Sequence, residues 1–324
     1  MKKLVLGFVN QGDAISGMAM VTFFNNFNSL RREILDDSLR LDLLVRVVSD
    51  NPHSTFCRFV TLISKNVEIL KPSDWSTLNF PPQSNGSFAT YWKFDLINCM
   101  DPDEILLYLD ADALILRKFN INALIDRING LMRLNSNQGN SGVLMMTPSH
   151  RPNLERIGFS DNSNPYCYFN AGVILGSNVP RVTKASLLSS YNDFFFNDPT
   201  QLYWHDQDLI NTLFSSIIHA LPFRYNVSTG MLRREFYGVA QLNYLAEQEI
   251  LSPVVAHASG GILDTAADYP WRESFKKIAN DLLEIKTLEA EFKLEIEKFL
   301  ARINVSGFRR GFQKLFNRLR MKWE

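Results

Sequence analysis

Cysteine is scarce, with three in 324 residues, and Cys57, Cys99 and Cys167 stand far apart and odd in number. That excludes a disulfide framework and a thiolate metal cluster, and it fits a reducing cytoplasm. Net charge is missing too, since 34 basic residues balance 34 acidic ones. No chain-wide nucleic-acid surface is expected from such a balance. No stretch approaches the roughly 20 apolar residues that span a bilayer. The opening MKKLVLGFVNQGD sets two lysines before an apolar run, but the run stops at Val9. It is too short for the apolar core of a signal peptide and reads as a first strand.

What is present is enough apolar residue for a large core. The chain is 46% hydrophobic and 21% charged, ordinary for a soluble enzyme, and its length suits one large α/β domain with an appendage. Lys3 to Val9 predicts a buried strand, followed by a polar turn at Asn10 to Asp13 and a helix through Met18 to Phe27. Leu41 to Val48 predicts a second strand, Thr55 to Ser64 a helix and Asn66 to Leu70 a short strand. Lys71 to Gly86, rich in Pro, Ser and Asn, predicts a loop near the site. Phe88 to Met100 predicts a helix, Ala123 to Leu134 another, and Gly142 to Met146 a strand. This alternation implies a mostly parallel sheet with helices on both faces, with ligands at the carboxyl ends of its strands.

The stretch Ile105 to Arg117, ILLYLDADALILR, places two aspartates one residue apart in an apolar run. Read as one extended strand, it puts Asp110 and Asp112 on the same face and turns Ala111 away. Paired buried carboxylates are costly without a counter-charge, which points to a hard divalent cation such as Mn2+ or Mg2+. The plainer reading is a strand end whose aspartates cap a turn. A rival chemistry is the DxD phosphohydrolase, with the first Asp as nucleophile. Those enzymes usually carry the motif near the chain start, and their lysine and second acidic pair have no obvious counterpart here.

Further along, YFNAGVILG (Tyr168 to Gly176) sets an amide, Asn170, before two small residues that allow close backbone approach to a ligand. In YWHDQDLINTLF (Tyr203 to Phe214), Asp206, Gln207 and Asp208 open an amphipathic helix, where acidic residues suit the helix dipole. PVVAHASGG (Pro253 to Gly261) ends an apolar strand on His257, and imidazole is a good third ligand for a metal already held by carboxylates.

In the order YLDADALIL, YFNAGVILG, HDQDLIN, LPFRYN and HASGG with YPW, these segments resemble the retaining glycosyltransferases of family 8 over about Lys3 to Phe275. The family includes glycogenin and bacterial lipopolysaccharide galactosyl- and glucosyltransferases. The resemblance implies a GT-A fold, the Rossmann-like nucleotide-diphospho-sugar transferase α/β architecture with a mostly parallel central sheet. The GT-A domain would span 1–278, with a helical C-terminal extension over 279–324. It also implies transfer of glucose or galactose from UDP-glucose or UDP-galactose, with Mn2+ or Mg2+ as cofactor and with retention of configuration. The acceptor would be a saccharide or glycolipid in surface polysaccharide or lipopolysaccharide synthesis. By position, Asp110, Asp112 and His257 would bind the metal, and Asn170, Ala171 and Gly172 would line the donor sugar. Asp206 would take sugar hydroxyls. Gln207 would face the anomeric carbon, stabilising positive charge or acting as nucleophile. Asn10, Asp13, Lys93, Ala111 and Gly260, with Asp110, complete the implied donor site.

The chain departs from the family pattern twice. Tyr91-Trp92-Lys93 stands where a tyrosine-x-arginine is frequent, which keeps the charge but loses the planar fork. The segment ILDTAAD separates Gly261 from Tyr269-Pro270-Trp271, and no lysine precedes the proline. Arg272, Lys276 and Lys277 are the candidates to replace that diphosphate-binding cation. The loss also admits a degenerate protein that binds nucleotide sugar without turnover.

Leu282 to Ile303 predicts an amphipathic helix. From Phe308 onward, Phe308, Phe312, Leu315, Phe316, Leu319 and Trp323 recur at helical spacing among Arg309, Arg310, Lys314, Arg318, Arg320 and Lys322. Such a tail predicts contact with an anionic membrane surface, and hence a cytoplasmic protein peripheral on the inner face of the membrane.

Overall fold

The computed structural model describes residues 2–11, 16–78, 88–137, 139, 142–149, 168–195, 206–228, 249–258 and 271–304. Its first half contains β1 (Lys2–Asn10), α1 (Ser16–Asp36), β2 (Leu41–Ser49), α2 (Thr55–Ile63), β3 (Val67–Leu70), α3 (Lys93–Asn98), β4 (Glu104–Leu109) and β5 (Ala113–Ile115). The second half adds α4 (Ile121–Asn137), β6 (Val143–Pro148), β7 (Phe169–Ser177), α5 (Lys184–Phe195), α6 (Asp206–Leu213) and β8 (Ile218–Ala220). It closes with β9 (Val227–Ser228), β10 (Val255–His257), α7 (Arg272–Leu283) and α8 over 290–304.

Seven strands form one sheet in the order β3-β2-β1-β4-β7-β6-β8. β3, β2, β1 and β4 pair in parallel, β7 runs against both β4 and β6, and β8 is parallel to β6. The mostly parallel α/β sheet expected from the sequence is therefore present, with β7 as its one reversed strand. The uninterrupted apolar runs of β1 and β4 follow from cover on both faces. Leu4, Leu6, Phe8, Ile105, Leu107 and Leu109 enter one core layer, while Val5, Leu106 and Tyr108 enter the other, as the period of two requires.

The first layer is closed by α1, α2 and α8. Phe23 of α1 meets Phe8, Phe56 and Phe59 edge to face at centroid distances of 5.6, 6.2 and 6.3 Å. Phe59 in turn meets Phe292 of α8 at 5.5 Å. Each such pair adds about 0.5–1.5 kcal/mol beyond area burial, so the Phe59–Phe292 contact helps to hold α8 on this layer. α1 approaches α8 closely at Gly17, where a Cβ would lie 2.2 Å from the Glu295 carbonyl oxygen. The continuous helix expected over Leu282 to Ile303 is instead two. Glu284 N–H bonds to Asn280 O, and Ile285 N–H bonds to Leu282 O; this tightening ends α7, and the chain turns so that Leu288 and Phe292 reach the core.

The expected helix over Phe88 to Met100 divides into a 3-10 turn, Ala89–Trp92, and α3. In a 3-10 turn, side chains three residues apart eclipse, which sets Thr90 and Lys93 side by side. Lys71 to Gly86 contains a 3-10 turn at Trp75–Leu78, and 79–87 lie outside the described residues. Asp13, Gly260, the 262–268 segment and the basic tail after Asn304 also lie outside them. Among the described residues, no helix is long and apolar enough to cross a membrane.

A further expectation is corrected. Ile105 to Arg117 is not a single strand: β4 ends at Leu109, and a turn closed by Ala113 N–H to Asp110 O at 2.9 Å carries the chain into β5. β5 belongs to a second, three-stranded sheet in the order β5-β10-β9. The turn preference of Asp overrides the strand period here, because the chain must change sheets. Side chains of α1 hold the exit path, and among them Asn25 Nδ2 donates to Ile115 O at 2.7 Å. Asn26 Nδ2 donates to Ala113 O and its Oδ1 accepts from Ile115 N, both at 2.8 Å, so the amide acts as a strand edge for β5. Glu33 then accepts from Phe119 N and Ile121 N at 2.8 and 2.6 Å, satisfying donors at the start of α4.

Candidate active site

Three elements meet at the end of β4. The reversal of β7 puts its N-terminal residues beside the C-terminal end of β4, and Asp110 N–H donates to Gly172 O at 2.9 Å. β10 runs antiparallel to β5 with His257 opposite Ala113, and Ala258 N–H bonds to Asp112 O at 3.0 Å. Backbone ladders thus bring Asp110, Asp112 and His257 together from positions up to 147 residues apart. His257 Nε2 lies 3.4 Å from Asp110 Oδ2 and 3.3 Å from Asp112 Oδ1. One ligand atom from each of the three residues falls within 4.8 Å of the others.

Two carboxylate oxygens and one imidazole nitrogen at this spacing fit a divalent metal ion. The set is buried on the Asp112 and His257 side and half-open at Asp110, whose side chain is 27% exposed. Burial alone would lower the His257 pKa, but the charges of Asp112 and Asp110 outweigh it and raise the value to about 10. Burial opposes the Asp110 anion as well, yet Lys93 and His257 hold its carboxyl well below the usual carboxylate range.

Lys93 is the second cation of the site. Its Nζ lies 2.8 Å from Asp206 Oδ2 and 3.2 Å from Asp110 Oδ1, donates to Ala171 O at 3.2 Å, and sits 4.9 Å from the Tyr108 ring centroid. Burial disfavours the ammonium, but Asp110 and Asp206 more than offset it, so the Lys93 pKa is raised. An Arg-to-Lys exchange thereby keeps one cation bridging the DxD turn and the start of α6. Asp206 also accepts from Thr90 Oγ1, the eclipsed partner of Lys93. Tyr108 donates to Asp110 Oδ1, and burial together with the Asp110 charge pushes its phenol well above the ordinary range.

The start of β7 supplies the floor. Gln207 Oε1 accepts from Ala171 N at 3.1 Å, and Asn170 Oδ1 accepts from Gly172 N at 2.9 Å. Gly172 has to be glycine, because a Cβ there would lie 2.1 Å from His257 Cε1. Tyr168 donates to Asp208, while Asn211 accepts from Phe169 N at 2.7 Å and donates to its carbonyl at 2.8 Å. Asn211 and Asp208 therefore brace α6 against the start of β7.

The structure gathers Lys93, Asp110, Asp112, Asn170, Ala171, Gly172, Asp206, Gln207 and His257 into one cluster, with Ala111 half-buried inside the turn. Asn10 ends β1, the strand parallel to β4, and donates to Ser54 and Ser49 oxygens at 3.2 and 3.4 Å. Of the cations offered for the missing lysine, Arg272 is buried at the start of α7. Lys276 pairs with Glu273 at 2.8 Å, and Lys277 is exposed. Sequence reasoning gave no role to Thr90, Tyr108, Tyr168 or Asn226, although the last three stand in the quoted segments. Tyr108 shares the strand parity of Asp110, and Thr90 precedes Lys93 by three, so both carried a signal.

A model of glycosyl transferase family 8 matches residues 49–257, nearly two thirds of the chain and every cluster residue. The chain belongs to glycosyltransferase family 8. The family-8 match removes the phosphohydrolase reading. Among solved structures, the chain is similar to the galactosyltransferase LgtC in complex with donor and acceptor sugar analogs. The TM-score is 0.63 at 18% identity, over 90% of this chain and 99% of that one. It is also similar to the apo form of the glycosyltransferase GlyE of Streptococcus pneumoniae TIGR4, with TM-score 0.50, 16% identity, and 93% and 64% of the two chains. A third is the bifunctional glycosyltransferase WbbM, with TM-score 0.50, 17% identity, and 86% and 52% of the chains. At these identities the likeness is one of fold, and the fold is GT-A. No curated protein matches the chain in sequence. A family-8 glycosyltransferase takes a nucleotide-sugar donor and an acceptor, and the Asp110, Asp112 and His257 cluster can hold a divalent ion for that chemistry.

Proposed function

We propose that the protein is a metal-dependent retaining hexosyltransferase that moves glucose or galactose from a UDP-sugar to a saccharide or lipid-linked glycan. The observation that carries this reading is the single buried cluster joining a metal-ligating triad to a carboxylate and two amides suited to sugar hydroxyls. Asp110, Asp112 and His257 hold the ion, Mn2+ or Mg2+. When bound it supplies Lewis-acid stabilisation of the charge that develops on the leaving diphosphate.

The protein side chains do the rest. Lys93 holds Asp206 and Asp110 in place by ion pairs, so that the Asp206 carboxylate meets sugar hydroxyls as an acceptor able to discriminate their stereochemistry. Asn170, Ala171 and Gly172 line the donor sugar. Gln207 is already fixed by Ala171 N–H, and its amide dipole faces positive charge at the anomeric carbon. An amide is a poor nucleophile, which favours attack by the acceptor hydroxyl on the face the diphosphate leaves. Asn10, Asp13, Ala111 and Gly260 belong to the nucleotide end of the donor in this reading. The catalytic unit spans 1–278, and the extension over 279–324 begins in α7 and docks through α8. A role in lipopolysaccharide or related surface-glycan synthesis and a peripheral position on the cytoplasmic membrane face belong to the same reading, supported by the composition of the basic tail.

Proton NMR of the full chain with UDP-glucose or UDP-galactose and Mn2+ tests it. The expected result is UDP together with a sugar product, or its hydrolysis surrogate, that first appears in the α configuration of the donor. Release of inorganic phosphate, or a product that first appears as β, would contradict it.

A further inference from the structure

Asn226 is fully buried and follows the 3-10 turn Phe223–Tyr225, whose end it closes by donating its N–H to Phe223 O at 3.0 Å. Its side chain bridges two parts of the site. One end meets Asn170 Oδ1 at 2.8 Å and the other meets His257 Nδ1 at 2.9 Å.

The directions of these bonds can be deduced from one end. A backbone N–H can only donate, and Gly172 N–H points at Asn170 with a separation of 2.9 Å. The Asn170 atom it meets must therefore be the carbonyl oxygen. The same oxygen faces Asn226, so Asn226 presents its NH2 there and turns its own oxygen to His257. An oxygen can only accept, so His257 Nδ1 carries a proton. With Nδ1 committed, Nε2 is the ring nitrogen left to bind an ion, and it is the one that lies between Asp110 Oδ2 and Asp112 Oδ1.

We propose that Asn226 is a positioning residue: a two-ended amide that transmits the fixed polarity of the Gly172 N–H to His257 and so sets which imidazole nitrogen faces the metal. This rests on the metal reading of the triad given above. Gly172 serves it twice, as the donor that fixes the polarity and as the one residue type without a Cβ to displace the ring. Because Asn170 lines the donor sugar in that reading, metal ligation and donor contact share one hydrogen-bonded side chain. Outer partners of this kind typically change metal affinity about 10- to 100-fold when removed.

The test measures Mn2+ binding directly, by electron paramagnetic resonance of free Mn2+, on the full chain and on Asn226→Ala and Asn226→Asp, without any sugar. Thermal melts confirm that each variant is folded. Asn226→Ala removes both ends and should weaken Mn2+ binding about 10- to 100-fold. Asn226→Asp keeps an acceptor for His257 Nδ1 but loses the donor to Asn170, so it should bind Mn2+ at least as tightly as the parent. A merely structural role would make both variants fail together. Equal Mn2+ affinity in the parent and a folded Asn226→Ala overturns the inference and leaves the triad standing. Equal loss in both variants overturns it as well. A parent chain that binds no Mn2+ overturns the metal reading and this inference with it.

Discussion

At the residue scale, the site depends on groups whose placement leaves no slack. Gly172 lies in contact with the His257 ring, and a methyl group there would need the space the imidazole occupies. Gly172→Ala should displace the ring by an ångström or more and reduce UDP-sugar turnover by about 100-fold, with the thermal midpoint close to that of the parent. Turnover within about threefold of the parent would show that the ring does not need its present position. Asp110, Asp112, Asn170, Asp206, Gln207 and His257 were legible in the sequence because each has a residue type and setting with a chemical reason. The role of Asn226 was not, although LPFRYN ends on it. Its meaning comes only from the two side chains it meets across 56 and 31 residues of chain.

At the element scale, the strands and crossover helices of the first half were legible, since Leu4 to Phe8 and Ile105 to Leu109 are apolar on both faces and the helices keep one apolar stripe. The reversal of β7 was not, because an apolar strand carries no mark of direction, and that reversal is what brings Asn170 to Asp110. The turn at Asp110 to Ala113 was legible only as the plainer reading of the DxD stretch, a strand end at the aspartates, because the apolar pattern alone continues the strand. The contact between α1 and α8 is similarly hidden in a single small residue. Gly17→Ala would set a Cβ 2.2 Å from the Glu295 carbonyl and 2.8 Å from Phe299 Cβ. The expected cost is about 1–3 kcal/mol, typical of overpacking, seen as a lower thermal midpoint; an unchanged midpoint would show that α8 can move aside freely.

At the scale of the whole molecule, the sheet is tied from below by a buried ion-pair network far from the site. Arg46 on β2 binds Glu104 on β4 at 2.8 Å and Glu68 on β3 at 2.7 Å, and Asp101 N–H donates to Glu104 at 3.0 Å. Burial alone would raise the Glu104 pKa, but Arg46 and the Asp101 N–H lower it. A carboxyl lowered on folding contributes stability that is complete above the ordinary glutamate pKa, about 4.3, and is lost as pH falls through its folded value. Glu104→Ala leaves Arg46 buried without its main partner and should cost about 3–5 kcal/mol at pH 7. The gap should narrow as the pH is lowered below about 4.3. A cost that stays constant down to pH 3 would contradict this assignment. The tail makes a separate prediction at this scale: removing Gly307 to Glu324 should abolish sedimentation with anionic liposomes, and unchanged sedimentation would remove membrane contact from the account.

The central claim is that the turn joining β4 to β5 holds an ion on which donor cleavage depends. It is tested most directly by UDP release from UDP-glucose and UDP-galactose, with and without Mn2+, comparing the parent chain with Asp112→Ala. Release that requires Mn2+, favours one donor and disappears in Asp112→Ala while the variant remains folded is the predicted result. Release that is the same without metal, or that survives in Asp112→Ala, would contradict it. No release from any UDP-sugar by folded parent protein would make this chain a binder rather than an enzyme of that donor.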